Sequence, residues 1–181
     1  MNIFVLDRNP AIAAQMYCDK HVPKMVVELF QILGSAQRRH GTPDEAMPLT
    51  ANKTPLKGGY HNHPCTRWAG DTFYNYGWAA AHAVALCMEY SLRFSKIHAC
   101  QEGIMQLRTM AGNIPNWCET PFAQAMPDKY KKPCAIEAYR DFYWNEKRKF
   151  AKWEKGREVP VWWCDLEEKE FDDLMQNLSK G

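Results

Sequence analysis

One stretch of this chain, Asp19-Lys20-His21-Val22-Pro23-Lys24-Met25-Val26-Val27-Glu28-Leu29-Phe30, holds a carboxylate, an imidazole and two ammonium groups within a few helical turns. Glu28 is set among Val26, Val27, Leu29, Phe30, Ile32 and Leu33. A carboxylate in apolar company is costly to ionise, which is one way proteins make a proton-transfer group. His21 lies seven residues earlier and on an unbroken helix would share its face two turns away. Pro23 is expected to break or kink that helix. The plainer reading of Glu28 is a carboxylate at a helix edge, paired with Lys24 at i−4.

Two further stretches could do chemistry. In Gly58-Gly59-Tyr60-His61-Asn62-His63-Pro64, two histidines flank one residue beside a glycine pair. With His21 or His82 they could ligate a metal, but no HExxH motif or carboxylate cluster accompanies them. A helix entry with one histidine donating a structural hydrogen bond is the preferred reading, and no metal is assigned. In Lys147-Arg148-Lys149-Phe150-Ala151-Lys152-Trp153-Glu154-Lys155-Gly156-Arg157, followed by Trp162-Trp163, cations alternate with aromatics. Such a run suits nucleic acid, because cations meet phosphates while indole faces stack on bases. The alternative is a solvated helix face with Phe150 and Trp153 in the core.

The elements that must position these groups read as helices. Ala11 to His21 is alanine-rich, and Lys24 to Arg39 carries helical periodicity up to Gly41. Further helices are expected from Trp68 to Arg93, Ile97 to Met110 and Ala135 to Trp153. A last acidic helix should open at Asp165, with Glu168 at capping-box spacing, and run to about Leu178. Prolines and glycines mark Thr42 to Pro64 and Gly112 to Pro133 as long irregular segments. The expectation is an all-α protein with a single compact domain of about five helices and two long proline-rich loops. Its body would span residues 1–164, with residues 165–181 forming an acidic helix packed on it or extending from it.

Bulk properties narrow the function. With 181 residues, 46% hydrophobic, the chain can bury one core. Seven cysteines form no CxxC pair and no secretory leader is evident, which points to free thiols in a reducing cytoplasm. No apolar run reaches membrane-span length. Residues from Asp165 onward carry six acids against Lys169 and Lys180, so the rest of this +2 chain is basic and suited to a polyanion. There is no P-loop, dinucleotide fingerprint or G-x-S-x-G elbow, and no cofactor is expected.

Asp19, His21, Glu28-Leu29, Gly34 and Arg38-Arg39-His40 together resemble the pyrimidine-dimer DNA glycosylase/abasic-site lyase family, which includes phage repair enzymes of the endonuclease V type. Lys57 to Pro64 and Arg93-Phe94-Ser95-Lys96-Ile97 are similar to its cellular members. The CDKH, HNHP and AMPDKY words resemble those of phage proteins, which implies a host-cell cytoplasm. The resemblance implies a compact all-α fold acting on double-stranded DNA. It also implies a Schiff base formed by the N-terminal amine, here that of Met1, with Glu28 as general acid/base and His21 lining the site. Val27 and Gln31 stand where the family carries arginines. DNA contacts are therefore assigned to Lys20, Lys24, Arg38, Arg39, His61, His63, Lys147, Arg148, Lys149, Lys152, Arg157, Trp162 and Trp163. The alternatives are base or nucleotide modification without excision on the same scaffold, or non-enzymatic binding of nucleic acid or a host factor.

Overall fold

The structure, a computed structural model, describes residues 2–178. Among these run seven α-helices: α1 (Pro10–Gln15), α2 (His21–Arg39), α3 (Pro64–Asp71), α4 (Phe73–Phe94), α5 (Gln101–Thr109), α6 (Ala135–Lys147) and α7 (Val161–Leu178). Beyond a lone bridge between Leu49 and Pro55, the described residues hold no β-pairing. The fold is all-α, as expected from the sequence, and no described helix is long and apolar enough to cross a membrane.

Helix α2 is the central element. Val22, Met25, Val26, Leu29, Ile32, Leu33 and Ala36 fall on one face and are all buried. Each such aliphatic side chain contributes about 1.5–3 kcal/mol on burial, and α4 packs against this face. Pro23 does not break the helix. It sits in the first turn, where a missing N–H leaves no intrahelical bond unmade.

Several expected boundaries move. The alanine-rich segment stops at Gln15, after Asn9 caps it by accepting from Ala11 and Ile12. The expected helix from Trp68 to Arg93 is two helices. Thr72 takes an extended conformation between them and its side chain caps α4 by accepting from Asn75 N. Helix α6 ends at Lys147 rather than Trp153. Helix α7 begins at Val161, so Asp165 lies inside it and opens nothing.

The segment Ile3–Leu6 is buried and belongs to no helix, and it closes a tight turn in which Leu6 N donates to Phe4 O at 3.0 Å. Without a sheet partner its remaining backbone polar groups must be met largely by side chains. Phe4 N donates to Tyr17 Oη at 2.9 Å, Arg140 Nε donates to Leu6 O at 2.9 Å, and Ile3 N donates to Asn2 Oδ1 at 2.8 Å.

A buried ionic network joins α4 to the turn before α2. The Arg93 guanidinium donates to Asp19 Oδ1 at 3.1 Å, Glu89 Oε2 at 3.0 Å, Tyr17 O at 2.7 Å and Gln15 O at 2.8 Å. Glu89 also accepts from Arg157 Nε at 2.9 Å. Burial pushes the Glu89 carboxyl up, but Arg157 and Arg93 outweigh it and hold it below the usual range. The aspartate that opens the Asp-Lys-His word is thus a structural anchor, set on a partner near the end of α4.

Candidate active site

Glu28 projects from α2 beside the start of the chain, its side chain 13% exposed. The backbone N–H of Asn2 donates to Glu28 Oε2 at 2.8 Å, and Lys24 Nζ lies 3.4 Å from Oε1. The apolar neighbours expected around this carboxylate are neighbours in sequence only. Val26, Leu29, Ile32 and Leu33 turn into the core, while Val27 is exposed. The Lys24 pair of the plainer reading is present, together with a main-chain donor that no local spacing announced.

Asn2 is itself locked. Its Nδ2 donates to Ala125 O at 2.8 Å, and its Oδ1 accepts from Ile3 N, from Tyr139 Oη at 3.1 Å and from the Cys65 thiol at 3.4 Å. The single Tyr139 phenol proton is shared between Asn2 Oδ1 and Ala123 O, the latter at 2.6 Å, and Tyr139 Oη accepts from Ala125 N at 3.2 Å. Burial pushes the Cys65 thiol up to about 11 and raises the Tyr139 phenol well above its usual value, so both stay protonated at neutral pH. Cys65 is a hydrogen-bond donor here and not a nucleophile. Neither Asn2 nor Tyr139 was singled out in the sequence.

His21 is buried behind this arrangement. Its ring stacks on Phe4 at 5.1 Å and its Nδ1 lies 2.6 Å from Tyr143 Oη. Burial, with Lys147, Lys24 and Lys20 nearby, lowers its pKa to about 3, so it is neutral. It holds Phe4, two residues past the Asn2 amide. His63 accepts from Cys65 N at 3.2 Å and caps α3, so it is an acceptor rather than the expected donor. Burial lowers its pKa, with the Glu28 charge acting in the opposite sense. His82 is buried between Pro10 O and Tyr17 Oη, at 2.8 and 3.0 Å, so it cannot join His61 and His63 on a metal. Among the described residues no three metal-binding side chains converge.

The residues assigned to nucleic acid divide. Lys20, Lys24, Arg39, His61, Arg148, Lys149 and Lys152 are exposed. Lys20 Nζ lies 4.6 Å over the Phe150 ring, Arg148 pairs with Glu170, and Lys152 lies 3.3 Å from Glu154. Lys147 is half-buried over Phe142, and Arg38 is drawn inward by Leu56 O, Thr42 O and Asp44. Arg157 is committed to Glu89. Trp162 and Trp163 lie in the first turn of α7, not in a loop, and are buried against Tyr143, with Trp163 also on Trp144 and Trp153. Their indoles are core and cannot stack on bases.

Residues 1–102 match the family model described as pyrimidine dimer DNA glycosylase. The chain belongs to this family. The family match takes in Asn2, Glu28, Cys65 and the Asp19–Arg93 anchor, while Tyr139 and the 147–163 region lie outside it. No curated protein and no solved structure matches the chain. Met1, the nucleophile that the family resemblance implies, lies outside the described residues.

Proposed function

We propose that this protein removes a damaged or modified pyrimidine from double-stranded DNA and then cleaves the strand at the abasic site. The Met1 amine adds to the sugar C1′ as the base departs, forming a Schiff base. Glu28 first supplies a proton to the ring-opening step and then, as carboxylate, takes a C2′ proton so that the 3′ phosphate leaves. The observation that carries this reading is the Asn2–Glu28 hydrogen bond. The Met1 amine is three covalent bonds from the Asn2 nitrogen, a span of at most about 3.6 Å, and that nitrogen is held on the carboxylate at 2.8 Å. An α-amine with an ordinary pKa of about 8 is a workable nucleophile near neutrality.

His21 acts in this scheme as a positioning residue, through Phe4. The exposed Lys20, Lys24 and Lys149 face the polyanion, and a DNA substrate puts the enzyme in the cytoplasm, that of a host cell if the gene is a phage's. The test is borohydride trapping on duplexes carrying an abasic site or a pyrimidine dimer, with peptide mapping of the adduct. An adduct on Met1 that is lost in Glu28→Gln is expected. No adduct, or one on a lysine side chain, overturns the mechanism.

A further inference from the structure

A second polar feature lies on the same face of α2 as Glu28. Gln31 and Ser35 follow Glu28 at helical spacing, and Ser35 opens a groove of about 520 Å³ bounded by Arg38, Arg39, His61, Asn62, Thr66 and Arg67. Seven residues of helix put it about 10 Å from Glu28 along the axis. The groove is built, not incidental. Ser35 Oγ donates to Gly59 O at 2.9 Å and accepts from Gly59 N at 2.8 Å. Gly58 has φ +77°, and a Cβ there would collide with Ser35, so only glycine lets this loop close down. His40 Nε2 donates to Gly70 O at 2.7 Å and fixes α3 as the opposite wall.

The groove carries excess positive charge. Arg38 and Lys57 share Asp44, and Arg39 pairs with Asp71. Arg67 is exposed and its guanidinium makes no ion pair among the described residues. The groove's own lining thus holds three arginines and no carboxylate, Arg38 and Arg39 being paired with aspartates outside that lining. Around Glu28 itself the balance differs, because Lys24 is its paired cation while Val27 and Gln31 bring none.

We infer that this groove binds a backbone phosphate of the DNA strand that reaches Glu28, with Arg67 and Arg39 as its cationic ligands and His61 and Asn62 on its rim. The inference rests on the DNA-acting reading but not on the Schiff-base chemistry. Each phosphate neutralised by a side chain releases counterions, so its loss lowers the salt dependence of binding as well as the affinity.

The experiment is fluorescence anisotropy with a duplex bearing a tetrahydrofuran abasic analogue, at several salt concentrations between about 50 and 200 mM. Arg67→Ala is expected to weaken binding several-fold at low salt and to reduce the slope of log K against log salt by about one. Arg67→Glu should weaken it further, with melting temperature unchanged in both. Wild-type affinity and slope in both variants overturn the subsite, as does failure of the wild-type protein to bind duplex at all. If DNA binds with an Arg67-dependent slope while borohydride traps nothing, the subsite stands and the lyase chemistry falls.

Discussion

The backbone N–H of Asn2 rests on Glu28 Oε2 at 2.8 Å, and the Asn2 side chain is held by Tyr139 and Ala125. One carboxylate is thereby fixed to the beginning of the chain, and helix α6 fixes the beginning of the chain to the core. In Glu28→Gln the side-chain oxygen still accepts from the amide while the acid/base function proposed for this residue is removed. Trapping on an abasic duplex should fall by about 10²–10⁴-fold, with the melting temperature close to wild type. A variant that folds and traps normally would refute the role of Glu28.

Tyr139→Phe removes the phenol that joins Asn2 Oδ1 to Ala123 O. The buried acceptors left behind should destabilise the protein by about 1–3 kcal/mol, read by urea denaturation. Adduct formation should slow while DNA affinity is unchanged, because the phenol orders the chain start and touches no part of the groove. An equal loss in affinity would show that Tyr139 acts elsewhere.

Stability should depend on pH through two buried imidazoles. Burial lowers His21 to about 3 and His82 to about 4, from an ordinary value near 6.5. Below 6.5 the unfolded chain binds these protons and the native chain does not, so stability is full above that pH and declines as pH falls. Between pH 6.5 and 4.5 each histidine should contribute a slope of up to about 1.4 kcal/mol per pH unit. Denaturant melts across this window measure it, and His21→Gln should make the profile shallower by up to about 1.4 kcal/mol per pH unit.

Arg93→Met strands Asp19 and Glu89 in the interior. Breaking a buried pair in this way costs about 3–5 kcal/mol. The loss should appear as a lower denaturation midpoint with DNA binding intact in the folded fraction. A neutral result would mean that Arg157 and water suffice for both carboxylates.

Trp163→Ala should likewise destabilise by about 3–5 kcal/mol by opening a cavity among Tyr143, Trp144 and Trp153. Single-strand affinity of the folded protein should not change. A selective loss of nucleic-acid binding would restore a stacking role to that indole.

What could be read from the sequence was local. The apolar face of α2 and the proline-rich excursions follow from spacing and residue type, whereas the Asn2 amide on Glu28, 26 positions away, does not. The break at Thr72 escaped because apolar periodicity continues across it, while the cap depends on one backbone conformation. Trp162–Trp163 and Arg157 looked like a nucleic-acid surface because composition cannot distinguish an exposed aromatic from a buried one. Arg157 finds Glu89 68 positions away. The clamp on the site is more distant still, since Tyr139 meets Asn2 across 137 positions. Only packing of the whole chain brings such residues together.

The buried course of Ile3–Leu6 has a consequence in time. Asn2 and Leu6 need partners on α6, made more than a hundred residues later. At ordinary rates of synthesis that delay is on the order of ten seconds. For that interval a nascent chain carries Asn2 and Glu28 without the α6 phenol that holds Asn2 in place. The geometry on which the proposed chemistry depends therefore arrives only with completion of the core.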